Sequence, residues 1–367
     1  MQIKRLSLKS FRNYESEEFE FNSGVTVIYG NNAQGKTNVL EAVHLFSMGK
    51  SHRTHKDKEM ILFGNDTSTA VLDFVSCGME NRSEIVINKD ARKLIKVNGI
   101  LIPKISVLMG RFNVVLFCPE HLALVKDQPR GRRKNLDAFI SQLRPNYFSA
   151  LLQYQKIVAG KNMLLGKSGN FAFDGVLDVW NEKLVSVAAE ILKYRHEYIK
   201  RLEVVMAEVL RDISGGAEEF SMKYNSCVGD IDGKSSEEIR ELLSDKLARS
   251  AGRERELQKC VVGPHRDDIT FYINGKEARA FGSQGQQKTV ALALKLAEVR
   301  IIREEIGEFP VLLLDDIMSE LDGSRRGYIL SEIRDMQVII TATDRDMFEG
   351  LGEDVCYIRV ESGRVAD

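Results

Sequence analysis

The order of apolar and polar positions divides the chain into three textures. Residues 3–9 alternate with a period of two, Leu6 and Leu8 sharing a face, and the pattern predicts a strand. An apolar run at 25–29 predicts a buried strand, and apolar spacing over 38–46 predicts a helix. Residues 70–75 and 84–88 are β-rich, and 93–97 and 100–102 flank Asn98-Gly99, a strong hairpin pattern. Residues 114–117 form a short apolar strand that Cys118-Pro119-Glu120 ends. From 126 to 259 the texture is helical and heavily charged, with helices expected over 146–159, 175–210 and 236–257. Glycine-containing breaks at 167–170 and 214–216 punctuate that stretch. After 263–268 the β pattern returns: 269–273, Asn274-Gly275 and 276–280 predict another hairpin. A long amphipathic helix then runs to about residue 305, and Pro310 bars its continuation. A fully apolar run at 311–314, a helix to about 334 and an apolar strand at 338–340 complete the pattern. The expected division is 1–125, a helical lobe over 126–259 inserted into it, and 260–367 completing the first domain.

Composition narrows the class. At 367 residues and 43% hydrophobic, the chain can bury a sizeable core, and its length suggests two domains. The 52 basic and 53 acidic residues nearly cancel, so any nucleic-acid contact must come from a local patch. The five cysteines, Cys77, Cys118, Cys227, Cys260 and Cys356, are scattered singly. That spacing argues against a disulfide framework or a zinc site and for a reducing, cytoplasmic setting. No apolar run follows the charged N-terminus, and none is long enough to span a membrane.

The chemistry centres on Gly30-Asn31-Asn32-Ala33-Gln34-Gly35-Lys36-Thr37, which fits G-x-x-x-x-G-K-[ST] between a strand and a helix. Gly30 and Gly35 let backbone N–H groups face phosphate oxygens, and the helix that Asn38 continues adds its positive N-terminal end. Lys36 can reach the β- and γ-phosphates of ATP, and the Thr37 hydroxyl can ligate Mg²⁺. Far downstream, Asp315-Asp316 ends an apolar strand. Asp315 can face Mg²⁺ opposite Thr37, and Asp316 can polarise the attacking water. A paired Asp after such a run also serves as a helix N-cap, but together with the upstream loop the metal-and-base reading is preferred. Phe11-Arg12-Asn13-Tyr14 fits equally a strand end placing Arg12 and Asn13 beside the nucleotide and an ordinary polar turn. The loop 50–55, with His52, Arg53 and His55, fits a basic loop near phosphate or DNA and, equally, a solvated turn; it lacks the partners of a metal site.

Ser283-Gln284-Gly285-Gln286, opening the long helix, resembles the ATP-binding-cassette signature, with Gln284 where the first Gly usually stands. Ser319-Glu320-Leu321-Asp322 resembles the loop that follows the second acidic motif in that superfamily. Such a signature offers Ser283, Gly285 and Gln286 to a γ-phosphate held by a partner subunit, so the resemblance implies an ATP-dependent homodimer with shared sites. With the loop at 50–53, Phe117-Cys118-Pro119-Glu120, Arg132-Arg133, Leu136-Asp137 and Gly263-Pro264-His265-Arg266-Asp267-Asp268, these motifs resemble the RecF family end to end. The resemblance implies an α/β fold: an ABC/SMC-head-like P-loop ATPase with an antiparallel β subdomain and an inserted, mainly helical lobe. It also implies weak Mg²⁺-dependent ATPase activity acting as a switch, DNA binding, and work with RecO and RecR in loading RecA at gapped DNA. Two departures from the wider cassette pattern point to slow turnover. The usual catalytic Glu is Asp316, and Thr343 stands about where the switch His would be.

Lys126, Arg130, Arg132, Arg133 and Lys134 form the first candidate contact for DNA phosphates, single-stranded, duplex or at a junction. Lys193, Arg195, Lys200 and Arg201 form the second; in both places a solvated helix face is the alternative. Two other classes compete. A membrane-transporter ATPase subunit is disfavoured by the long basic insertion and the missing His. An SMC-like tether needs a long coiled-coil arm, for which the chain has too few heptads.

Overall fold

A computed structural model describes residues 1–166, 174–351 and 355–366; the break expected at 167–170 lies outside these. Packing separates two compact units, Met1–Ala123 with Ala291–Asp367, and Leu124–Val290.

The first unit opens with β1 (Gln2–Phe11), β2 (Tyr14–Glu20), β3 (Val25–Tyr29) and α1 (Lys36–Met48). It continues with β4 (Thr67–Ser76), β5 (Met79–Asn88), β6 (Leu94–Val97), β7 (Ile100–Leu101), β8 (Val114–Phe117) and α2 (Pro119–Leu122). The second unit holds α3 (Pro129–Leu143), α4 (Pro145–Leu165), α5 (Asp174–Ser214), β9 (Phe220–Asn225) and α6 (Ser236–Leu257). It ends with β10 (Asp268–Ile273), β11 (Lys276–Glu277), α7 (Ala278–Phe281) and the start of α8 (Gln284–Ile306). Back in the first unit come β12 (Val311–Asp315), α9 (Gly323–Glu332), β13 (Val338–Ala342), β14 (Cys356–Glu361) and β15 (Arg364–Ala366).

Two sheets build the first unit, ordered β2-β1-β4-β5-β6-β7 and β15-β14-β3-β13-β12-β8. The first is antiparallel, and its strands alternate: in β4 every second residue is buried. In the second, β14, β3, β13, β12 and β8 run parallel. Every residue of β12 and β13 is buried, as suits apolar runs such as Val311–Leu314, with Asp315 and Thr341 the polar members. Gln337, 2% exposed, links the sheets: its amide donates to the carbonyls of Ile3 (2.8 Å) and Asn22 (2.7 Å) and accepts the Ile3 N–H (2.6 Å). Leaving such buried backbone groups unpaired would cost about 1–3 kcal/mol each.

The second unit packs α3 to α6 with a small sheet, β11-β10-β9. The sequence texture turns back to β at 260, whereas this compact unit runs to Val290. The reason is strand pairing: β10 lies antiparallel to β9, from Asp268↔Asn225 to Ile273↔Phe220. The hairpin expected over 269–280 is shorter, because residues after Glu277 coil into α7. Sequence periodicity missed β2, β9, β14 and β15. In β2, Tyr14 and Phe19 are buried while four glutamates lie among the outward positions, and that charge masks the strand.

Candidate functional site

The phosphate loop sits between β3 and α1, where the chain leaves the sheet and enters a helix whose Val39, Leu40, Val43 and Phe46 are fully buried. Both loop glycines are required. Gly30 (φ 144°) would bring a Cβ within 2.4 Å of the Val360 carbonyl oxygen, and Gly35 (φ 120°) within 2.7 Å of Asn13 Nδ2. Asn31, Asn32 and Ala33 are exposed at the rim. The turn at 11–14 braces the loop from below. Asn13 donates to the Gln34 carbonyl (2.8 Å) and accepts from Asn38 Nδ2 (2.8 Å), and Tyr14 donates to the Gly35 carbonyl (3.0 Å). The turn between β14 and β15 closes the other side: Gly363 N–H donates to the Gln34 carbonyl (3.1 Å) and Ser362 N–H to Gln34 Oε1 (2.5 Å).

Lys36 is 7% exposed and its ammonium donates to the carbonyls of Gly30 (2.6 Å) and Asn31 (2.7 Å). Burial pushes its pKa down, while Asp316 and Asp315 pull it back. Asp315, at the end of β12, accepts from the Thr37 hydroxyl at 2.9 Å, across 278 residues of chain. Burial raises the Asp315 pKa, and the hydroxyls of Thr341 and Thr37 oppose this. Asp316 has φ 51°, and burial likewise raises its pKa against the charge of Lys36. Its carboxylate has no hydrogen-bonded partner among the described residues. Thr37 and Asp315 together present a hydroxyl and a carboxylate, the hard oxygen donors that Mg²⁺ takes.

Arg12, in the turn between β1 and β2, is tied to α1 by a buried carboxylate. It grips Glu41 of α1 through Nε (2.8 Å) and Nη2 (2.6 Å), and its Nη1 donates to the Glu59 carbonyl (2.6 Å). Glu41 is fully buried; Ser51 donates to it at 2.5 Å, and Arg53 lies 3.5 Å away while donating to Asn38 at 2.7 Å. Burial works to raise the Glu41 pKa, but Arg12, Ser51 and Arg53 outweigh it and hold the carboxyl below its ordinary value. Sequence reasoning missed Glu41. Its one signal is a charged residue inside the apolar run Val39-Leu40-Glu41-Ala42-Val43.

Residues 2–365 match the family described as RecF/RecN/SMC N terminal domain. A DNA replication and repair protein RecF from Acetivibrio thermocellus is 42% identical over 369 residues, covering 99% of each chain. The chain belongs to the RecF family. A second RecF, from Clostridium beijerinckii, is 42% identical over 366 residues, with 100% of this chain and 98% of that protein covered. The solved "recombination mediator protein RecF-ATPrS in RecFOR pathway" superposes with a TM-score of 0.93 at 38% identity, covering 99% of this chain and 97% of that one. An Smc head domain from Pyrococcus furiosus shares the fold alone, at 16% identity and a TM-score of 0.56, covering 100% and 95%.

Other RecF motifs lie in the second unit. Ser283 and Gln286 form a capping box at the start of α8: Ser283 Oγ accepts from Gln286 N–H (3.2 Å) and Gln286 Oε1 from Ser283 N–H (2.9 Å). Gln286 also donates to Glu218 (2.9 Å); Ser283 stays exposed, and Gly285 is half-buried. Of the first basic cluster, Lys126, Arg130 and Lys134 are exposed. Arg132 is not available to DNA. It is 4% exposed, pairs with both oxygens of Asp268 (2.8 and 3.0 Å) and donates to the carbonyls of Leu124 (2.9 Å) and Asp127 (2.7 Å). Arg133 is half-buried and turned inward, onto the Asp267 carbonyl at 2.5 Å. The second cluster is also largely committed. Arg195 is 2% exposed and pairs with Asp137 (2.8 Å) and Asp267 (3.1 Å), while Lys200 pairs with Asp232. The motif at 263–268 is therefore the centre of a buried ion network. His265 belongs to it: its Nε2–H donates to the Cys260 carbonyl (3.1 Å), so its Nδ1 accepts from Tyr154 (2.5 Å).

Proposed function

We propose that this RecF-family chain is a Mg²⁺-dependent ATPase of DNA replication and repair whose nucleotide state switches a DNA-binding dimer. The observation that carries the reading is the 2.9 Å contact joining Thr37 to Asp315 beside Lys36 and Asp316. Phosphate oxygens would replace the two carbonyls on Lys36, which are an ammonium's weaker partners. Mg²⁺ held by Thr37 and Asp315 would neutralise charge on the β- and γ-phosphates. Asp316 would orient and deprotonate water; burial makes it a stronger base than a solvated Asp, and its short side chain suits slow turnover. Glu41 would hold Arg12 and Arg53 beside the loop. Ser283, Gly285 and Gln286 would offer the start of α8 to the nucleotide of a second copy. DNA phosphates would meet Lys126, Arg130 and Lys134, and RecR and RecO are the partners that the RecFOR relatives suggest.

Mixing two variants tests the shared site. Lys36→Ala and Ser283→Arg should each fail to dimerise with ATP, yet together form one intact composite site and an ATP-dependent heterodimer on sizing. A Ser283→Arg protein that dimerises normally with ATP refutes the shared site. Unchanged ATP binding in Lys36→Ala refutes the phosphate loop itself. Gel shifts without nucleotide, with ADP and with ATP then check whether DNA binding follows dimerisation.

A further inference from the structure

A buried hydroxyl on a neighbouring strand lies between the two aspartates. Thr341 of β13 stands opposite Asp315 of β12 in the parallel register and is 1% exposed. Its Oγ1 is 2.9 Å from the backbone nitrogen of Asp316 and 2.7 Å from Asp315 Oδ1. The directions of both bonds are forced. A backbone N–H only donates, so Oγ1 accepts it, and an ionised carboxylate only accepts, so the hydroxyl hydrogen points at Oδ1. Thr37 donates to that same Oδ1. One oxygen of Asp315 is thus held from two sides, and Oδ2 has no hydrogen-bonded partner among the described residues. The second bond acts on Asp316, whose φ of 51° lies in the left-handed region that side chains rarely adopt. Its N–H has no backbone partner among the described residues, and the Thr341 hydroxyl supplies an acceptor.

We propose that Thr341 is a positioning residue of the ATPase site. Through a single hydroxyl it fixes the Asp315 carboxylate against Thr37 and pins the turn that carries Asp316 toward Lys36. The inference rests on the reading of Thr37 and Asp315 as the Mg²⁺ pair. A valine would pack as well on this strand, so packing alone does not call for the hydroxyl.

The test measures Mn²⁺ binding to the full chain with ATPγS by electron paramagnetic resonance, beside nucleotide binding in EDTA. Thr341→Val should weaken Mn²⁺ about 10-fold, the lower end for loss of a group that orients a metal ligand, and Thr341→Ser should restore it to within about twofold. Affinity for metal-free nucleotide should stay within about twofold. At saturating metal, kcat should still fall while KM for ATP holds, because the Asp316 turn is loosened as well. Should Thr341→Val fail to fold, Thr341→Ala removes the same hydroxyl and carries the test. Wild-type Mn²⁺ affinity in the Val or Ala variant, or equal weakening in Ser and Val, overturns the inference. Asp315→Asn separates the two levels: if it too binds Mn²⁺ like the wild type, the metal pair itself is misassigned.

Discussion

The phosphate cradle and the Arg195 network are both built from charged motif residues, yet they use charge in opposite ways. In the cradle, Lys36 rests on two backbone carbonyls and the Asp316 carboxylate is left without a hydrogen-bonded partner. In the network, Arg195 meets Asp137, Asp267 and the Pro264 carbonyl, and Arg132 meets both oxygens of Asp268. Asp267 accepts in addition from Tyr224 (2.5 Å) and from Cys227 N–H (2.8 Å). A charge held only by weak partners can exchange them for a ligand. A charge already matched by buried carboxylates cannot, and its role is to hold helices and strands in place. Sequence specificity therefore does not separate the two: the motif at 263–268 is as distinctive as the loop Gly30–Thr37, but its His265, Asp267 and Asp268 side chains are already taken by neighbours.

The contrast is sharpest where the two regions are broken. Arg195→Met should destabilise the protein by about 3–5 kcal/mol, because the buried Asp267 and the half-buried Asp137 would be left without their cation. Urea unfolding checks this, and a loss under 1 kcal/mol would mean that the network is not load-sharing. Lys36→Ala should do the reverse: hydrolysis should fall about 10²–10³-fold, the usual loss for one charge-stabilising donor, with stability nearly unchanged. Steady-state ATPase assays beside the same unfolding curves make the comparison.

A third test uses pH. Burial lowers the His265 pKa from 6.5 to about 4, so the unfolded chain takes up this proton first as pH falls. The stabilising share is complete above pH 6.5 and is lost as pH drops from 6.5 toward 4. At 1.36 kcal/mol per unit this amounts to roughly 3 kcal/mol at most. The stability difference between wild type and His265→Gln should shift by that amount over the window; a constant difference would show that the imidazole is not held neutral. The smallest structural effect is expected for Lys126→Ala, Arg130→Ala and Lys134→Ala combined. Stability should move by less than about 0.5 kcal/mol. If all three meet duplex phosphates, the slope of log K for DNA against log salt should fall by roughly 2.7. An unaltered slope would place the DNA surface elsewhere.

Much of the site around Thr37 and Asp315 was legible in the chain. The loop Gly30–Thr37 and the acidic strand end are local patterns, because their work is done by backbone geometry and by the residue at a strand terminus. Capping works the same way: Ser283 and Gln286 form their box within one turn. β2 was missed for a local reason too: only Tyr14 and Phe19 of its seven residues are buried, and with four glutamates among the rest no alternation marks the strand.

Other features depended on distant partners. Nothing in Arg132-Arg133 distinguishes a DNA contact from a buried clamp; for Arg132 the answer lies with Asp268, 136 residues away, and for Arg133 with the Asp267 carbonyl. Glu41 becomes a hub only once Arg12, Ser51 and Arg53 converge on it. That the second unit reaches past residue 260 follows from β10 pairing with β9 across the intervening α6. By itself the sequence determined where the glycine loop joins strand to helix, which strand ends in paired carboxylates and which stretches are helical, since all of these are set by residues within a turn or a strand of one another. Tertiary structure decided which charges are neutralised, because a charge is matched by whichever opposite charge folding brings within about 3 Å, and the order of residues along the chain does not record that distance.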